Sequence, residues 1–366
     1  MSDRYAGLPI SDDDAAIAAA LEDVSVPTLL VSLVHLTGDP QIVRGPLRPA
    51  GIYLNEVQGF MSEEDQAAAR AFALEKIIEF RDGGCVLPPP PSPEVVKEMM
   101  EFLVAGEVPD EYVPMMLEEL ALHGEDEREV DLGDIDPEVR RAFHVVVIGA
   151  GMSGLLAGIR LADAGISFTI IEKNPDVGGT WYENRYPGCR VDVGNHFYSY
   201  SFEPDDDWTE FFAQQPELQA YFHRCMVEHG IADRIRFDTE VTSARWDEAS
   251  ATWTVETSGG TLTADAVISA VGQLNRPKLP DIAGRDSFEG VAMHSAQWGD
   301  GTDLVGKRVA VVGTGASAFQ IVPTIAPEAE HLTVFQRSAP WMFPNPNYRQ
   351  RVGPGVRWAI QHLPYY

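Results

Sequence analysis

An α/β fold made of two βαβ units, the second cut short, behind a mainly helical N-terminal extension is predicted by three observations. Charge changes abruptly near residue 140: residues 1–140 hold 30 acidic and 9 basic side chains, in a chain of 366 residues with formal net charge −29. Two short apolar runs each lead into a glycine-rich turn, His144-Val-Val-Val-Ile148 before GAGMSG and Arg308-Val-Ala-Val-Val312 before GTGASA. Each turn is followed by a helix-like stretch and a second apolar run, the order of strand, helix and parallel strand.

The extension, 1–140, reads as helices separated by breakers. Ser62-Glu-Glu-Asp65 is a capping-box start, and the Ala-, Leu-, Glu- and Lys-rich run after it reaches Phe80 and stops at Arg81-Asp-Gly83-Gly84. Pro88 to Pro93, PPPPSP, is a stiff break. Ser92-Pro93 then opens a helix with Val96, Met99, Met100 and Leu103 on one face and Gly106 as its stop. The methionines there read as core or interface. Nothing in 1–140 carries a catalytic pattern, so the extension is read as a packing or association module.

Several function classes are excluded on composition. No apolar run reaches the roughly 18 residues of a membrane span, and the acidic start MSDRYAGLPISDDD is no secretory leader. Cys85, Cys189 and Cys225 lie far apart with no Cys-x-x-Cys pair, so neither a disulfide frame, a dithiol redox centre nor a metal site is expected, and the location is read as cytoplasmic. The negative field argues against nucleic acid and anionic membrane as partners.

The chemistry lies in the loops. Gly149-x-Gly151-x-x-Gly154 follows a strand and opens a helix: the first glycine makes the turn, the second admits a pyrophosphate to the backbone, and the third lets helix and strand close up. The second strand, Ser167 to Ile171, ends in Glu172, placed to accept hydrogen bonds from ribose hydroxyls. Gly313-x-Gly315-x-x-Ala318 repeats the pattern, with Gln336-Arg337 instead of an acid after its second strand, and an arginine there suits the 2′-phosphate of NADPH. The fold class is therefore two Rossmann-like dinucleotide-binding domains, the first FAD-like and the second, NADPH-like one incomplete. WTVETS, a Gly259-Gly260 turn and TLTADAVISAVG read as antiparallel strands returning to the first sheet. The boundaries expected are 1–140 for the extension, 141–287 for the FAD domain, 288–300 for a linker and 301–366 for the first part of the NADPH domain.

Two further motifs resemble a known family. Gly178-Gly-Thr-Trp181 followed by Asn184-Arg-Tyr-Pro-Gly-Cys-Arg-Val-Asp192 resembles the flavin-side loop of the class B flavin monooxygenases. Phe288-Glu-Gly290-Val-Ala-Met-His294-Ser-Ala-Gln-Trp298 matches their Baeyer–Villiger fingerprint, with Gly299 where Pro or Asp is usual and Asp300 one place later. Pro27 to Arg44 and the acidic extension are similar to the long, arylketone-oxidising members. The resemblance implies an enzyme that converts a ketone to an ester with NADPH and O₂ through a C4a-peroxyflavin. It places Gly149, Gly151, Ser153, Gly154, Glu172, Gly179, Thr180, Trp181, Tyr198 and Val241 around FAD. It places Arg190, Val191, Asp192, the loop Gly313, Thr314, Gly315, Ala316, Ser317, Ala318 and Phe319, and Arg337 near NADP. Asp192 and His294 are the candidate catalytic residues, Asp192 as the acid beside the isoalloxazine and His294 as a coupler of the linker to domain closure. A homodimer through the extension is implied in the same way.

Only 53 residues follow Gly313, too few to cover both faces of a second sheet. The chain is therefore expected to be the N-terminal part of a longer enzyme, without the segment that completes the FAD domain or the family's catalytic arginine. An N- or S-oxygenating flavin monooxygenase, and a catalytically silent nucleotide-binding fragment, are the alternatives.

Overall fold

The computed structural model describes residues 7–52, 56–122, 131–205 and 207–366. Those parts of the expected extension at 1–6, 53–55 and 123–130 lie outside the described residues. The chain forms two compact units, one of Met1–Glu129, Asn195–Phe211 and Phe343–Tyr366, the other of Val130–Gly194 and Phe212–Met342.

The first unit is helical. Its helices are α1 (Asp14–Leu21), α2 (Val26–Thr37), α3 (Gln41–Arg44), α4 (Glu63–Asp82), α5 (Pro93–Val104) and α6 (Tyr112–Leu120). Ser62 Oγ accepts from the Asp65 N–H at 3.1 Å and caps α4, whereas Ser92, the N-cap ahead of Pro93 at the start of α5, makes no side-chain cap bond. Apolar almost all round, α2 is buried from Val26 to Leu36 apart from the half-buried Thr28, as a helix at the centre of a bundle must be. Ala69, Ala73 and Ile77 form the stripe of α4 in the same core, which also holds Met99 and Phe102 of α5.

The last helix of the chain, α12 (Pro354–His362), also belongs here. Its Ala359 and the following Leu363 enter the core with Ile17 and Leu21 of α1. A Cβ on Gly355 would stand 2.0 Å from the Ala20 carbonyl oxygen, so the approach of α12 to α1 requires glycine. The expected grouping of 301–366 as one nucleotide-binding piece is therefore not what the structure shows: residues 343–366 fold with the N-terminal helices, because the apolar face of α12 is satisfied there. Residues 195–211 join the same unit through the Phe211 N–H to the Gln350 carbonyl (3.1 Å) and the Val352 N–H to the Thr209 carbonyl (3.0 Å).

The second unit opens with α7 (Pro137–Ala142), β1 (His144–Ile148), α8 (Met152–Asp163) and β2 (Ser167–Ile171). It continues through α9 (Thr180–Glu183), α10 (Gln215–Glu228), β3 (Ile235–Arg236), β4 (Val241–Asp247), β5 (Thr252–Thr257), β6 (Gly260–Ala264) and β7 (Ala266–Ser269). A parallel sheet runs in the order β3-β2-β1-β7, with Val145 opposite both Phe168 and Ala266. One face meets α8, where a Cβ on Gly158 would press on Ile170 at 2.8 Å. On the other, Val146 and Ile171 pack with Val255 and Ala264 of the antiparallel meander β4-β5-β6. The TLTADAVIS stretch, expected to be antiparallel throughout, divides at Asp265: β6 stays in the meander, and β7 lies parallel to β1. Asp265 makes the transfer, accepting from the His144 N–H and donating its own to the His144 carbonyl.

β8 (Arg308–Val312), α11 (Ala316–Ile325) and β9 (His331–Phe335) complete the unit as a second βαβ, with two parallel strands in register from Arg308/His331 to Val312/Phe335. Val312 and Phe335 stay more than half exposed, so this small sheet leaves apolar surface uncovered. Among the described residues no helix is long and apolar enough to cross a membrane.

Candidate dinucleotide-binding loops

The glycines of the first loop answer to two different demands. Gly149 has φ +101°, and a Cβ there would meet the Ala270 carbonyl oxygen at 2.6 Å; a Cβ on Gly154 would fall 1.8 Å from the Gly149 carbonyl. Both are required by the chain's own packing. Gly151 is not: its φ is −76°, and an added Cβ would make only ordinary contact, 3.5 Å from Gly179 Cα. It is the N-cap of α8, and no side chain caps that helix start. A bare helix N-terminus with a small residue at its mouth attracts an anion.

Glu172 is buried at the end of β2, where its carboxylate oxygens accept from the Ala150 N–H at 2.7 Å and the Asn174 N–H at 2.9 Å. The acid thus braces the glycine loop against the sheet. The Gly178-Gly179 turn closes over the same loop: the Gly178 N–H donates to the Ala150 carbonyl, and Gly179, at φ +54°, comes so near Gly151 that a Cβ would stand 2.9 Å from its Cα. Thr180 and Ser153 are exposed, while Trp181 is buried with its carbonyl accepting from Gln215 Nε2. Val241 opens β4 and packs into the core between sheet and meander. Tyr198, alone among the expected FAD contacts, belongs to the first unit.

Asn184 to Asp192 follows as a loop whose tip, Tyr186-Pro-Gly-Cys189, is a turn. The Cys189 N–H donates to the Tyr186 carbonyl and Gly188 sits at φ +80°, the position of a type II turn that demands it. Burial pushes the Cys189 thiol up to about 11, so it is uncharged at neutral pH and no nucleophile. Asp192 is exposed.

In the second loop, Gly313 has φ +109° and Gly315 caps α11 without a side-chain bond. An added Cβ at either would meet nothing within 4 Å. Thr314 and Gln336 join the loop to the end of β9 (Gln336 Nε2 to Thr314 Oγ1, 3.3 Å), and Arg337 is exposed one residue further on. One contact of α11 is not signalled by any motif: Gln320 is buried and bonded to Tyr186 and Arg190 of the flavin-side loop. A lone glutamine in an amphipathic helix gives no sequence signal of this.

The fingerprint segment is irregular. His294 Nδ1 accepts from the Ala296 N–H at 3.1 Å and caps a short 3₁₀ turn, Ser295–Gln297. Trp298 lines an open depression of about 330 Å³ together with Lys173, Asn174, Tyr182, Arg185 and Asn275. The Arg185 guanidinium lies 4.6 Å from the Tyr182 ring centroid and 3.8 Å from Asp300. Phe288 is 64% exposed, its ring folded back over Gly290, where a Cβ would meet it at 2.6 Å. Of the two fingerprint aromatics, Trp298 is half-buried and Phe288 exposed.

The family model for pyridine nucleotide-disulphide oxidoreductases matches residues 146–365. An uncharacterized monooxygenase of Sinorhizobium fredii is 38% identical over 96% of this chain and 53% of its own length. A Baeyer–Villiger monooxygenase of Streptomyces coelicolor is 47% identical over 57% of this chain and 40% of its own. Among solved structures, an oxidized steroid monooxygenase bound to NADP is 42% identical with a TM-score of 0.55, covering 59% of this chain and 42% of that one. OTEMO in complex with FAD and NADP is 41% identical with a TM-score of 0.53, covering 56% of this chain and 40% of that one. The chain spans about half the length of these relatives, or less.

Proposed function

This chain belongs to the pyridine nucleotide-disulphide oxidoreductase family and is related to Baeyer–Villiger monooxygenases, and on that premise we propose that it supplies the flavin-side and the first NADPH-side loops of a ketone monooxygenase. The reaction takes a ketone, O₂ and NADPH with a proton to an ester, water and NADP⁺. The observation that carries the reading is the pair of uncapped helix starts: Gly151 and Gly315 are glycines that the chain's own packing does not require. Each leaves room for a phosphate at the positive end of a helix.

FAD, when bound, supplies the reaction with O₂, using hydride taken from NADPH. This chain's residues bind and orient. Gly149 to Gly154 and the Gly178–Trp181 turn would hold the FAD pyrophosphate, with Glu172 bracing the loop and facing the ribose. The Gly313–Phe319 loop and Arg337 would hold the NADPH phosphates, and Arg190, Val191 and Asp192 would lie along the nicotinamide. His294, already engaged at Nδ1 in its own turn, is assigned to linker coupling and not to proton transfer. The functional division into an FAD part within 141–287, a linker at 288–300 and an NADPH part from 301 belongs to this proposal. So do a preference for aryl ketones, by resemblance to 4-hydroxyacetophenone monooxygenase, a homodimer through the N-terminal helices, and a cytoplasmic location consistent with three free cysteines.

The test is direct. The purified chain is expected to bind flavin, visible in its absorption spectrum, and to yield little ester from an aryl ketone and NADPH, since it spans only about half the length of its relatives, or less. A full-length enzyme containing it is expected to form ester. N-oxides without ester from that enzyme would overturn the substrate class in favour of N-oxygenation, a reading that Trp298 in the fingerprint disfavours. Arg337→Ala is expected to weaken NADPH far more than NADH; equal losses would remove the 2′-phosphate assignment.

A further inference from the structure

Gln320 is among the few buried polar side chains of the second unit, 4% exposed in the middle of α11. Its Oε1 accepts from the Tyr186 hydroxyl at 2.9 Å and from the Arg190 N–H at 3.3 Å, and its Nε2 donates to the Arg190 carbonyl at 2.9 Å. One amide therefore brackets both backbone groups of Arg190, its oxygen taking the N–H and its nitrogen the carbonyl. The loop is pressed to the helix as well: a Cβ on Gly188 would fall 2.3 Å from Thr324 Oγ1 and 2.8 Å from the Gln320 carbonyl oxygen. Beyond Arg190, the Val191 N–H donates to the Ala213 carbonyl at 3.1 Å, so the segment is held again before Asp192.

We propose that Gln320 is a positioning residue that locks the Arg190–Asp192 segment to α11, so that a nucleotide phosphate seated at the Gly313–Phe319 loop also fixes the segment along the nicotinamide. The helix whose N-terminus forms the second cradle carries, one turn in, the side chain that grips the flavin-side loop. The coupling half of this proposal rests on the functional reading above; the grip does not.

Hydrogen–deuterium exchange on the 366-residue chain, read by peptide, tests both halves. In Gln320→Leu without ligand, the amides of 189–192 are expected to exchange about tenfold faster or more, since each lost bond shifts local opening by up to that factor, while α8 and β1 are unchanged. Equal exchange at 189–192 in variant and parent would overturn the grip, and faster exchange throughout would reduce Gln320 to general stability. With NADP⁺ added, the parent is expected to slow at both 313–319 and 189–192, and the variant at 313–319 alone. Slowing of 189–192 in both would overturn the coupling; slowing of neither region in the parent would overturn the nucleotide reading and the coupling together, leaving the ligand-free comparison to decide the grip. If Gln320→Leu does not fold, Gln320→Glu, which keeps the acceptor oxygens and lacks the donor, serves for the same comparisons.

Discussion

Glycines that the chain's own packing requires and glycines that it does not separate cleanly in the first loop, and substitution is expected to separate them experimentally. In Gly154→Ala the new methyl has the Gly149 carbonyl 1.8 Å away, so a loss of about 3 kcal/mol or more is expected together with loss of flavin. Gly151→Ala meets no such obstacle; its melting temperature is expected to stay within about 2 °C of the parent while flavin retention falls. A matched loss of stability in both would remove the distinction. His35 offers a second test, in the first unit. It is buried in α2 and stacked 4.2 Å from Tyr365, and desolvation lowers its pKa from the usual 6.5 to about 4. Because the folded state resists the proton, this contribution to stability is full above pH 6.5 and is lost as pH falls from there toward 4, up to about 3 kcal/mol. The melting temperature of His35→Phe is expected to fall less steeply over that window than the parent's.

Helices and strands were legible where local signals are self-sufficient. Ser62 and Ser92 announce α4 and α5, and the two glycine loops announce βαβ units, because caps and turns are settled by residues three or four apart. The fate of α12 was not legible, since an apolar stripe says that a face will be covered and not by what; here it is α1, some 340 positions earlier. Ala359→Asp, which would bury a charge in that contact, is expected to cost at least about 3 kcal/mol and to unfold the first unit in preference to the sheet of the second. Loss of the parallel sheet before the helical bundle, read by exchange at β1 and α2, would contradict the packing described. For the candidate site, the motifs pointed to both glycine loops, Glu172 and Trp298, while Gln320 escaped because a buried amide reveals itself only through its partners. Phe288, counted with the fingerprint, is instead exposed, which shows that a motif position need not be a packing position.

For the chain as a whole, the excess of acidic groups means that self-repulsion opposes the compact state. Adding salt from about 0.02 to 0.5 M is expected to raise the melting temperature by screening it, and an unchanged or falling value would show that the charges are already paired off. The closing of α12 on α1 bears on how the protein is born. Trp358 bonds Asp12, and the Tyr366 hydroxyl accepts from the Ser25 N–H, so the bundle is closed by residues synthesised some 340 positions after α1. At 5–20 residues per second, α1 waits roughly 20 to 70 s for its partner after leaving the ribosome, holding an apolar face open throughout. The intervening sheet and its glycine loops have time to fold first, and a chaperone that shields nascent helices would find its client in α1 and α2.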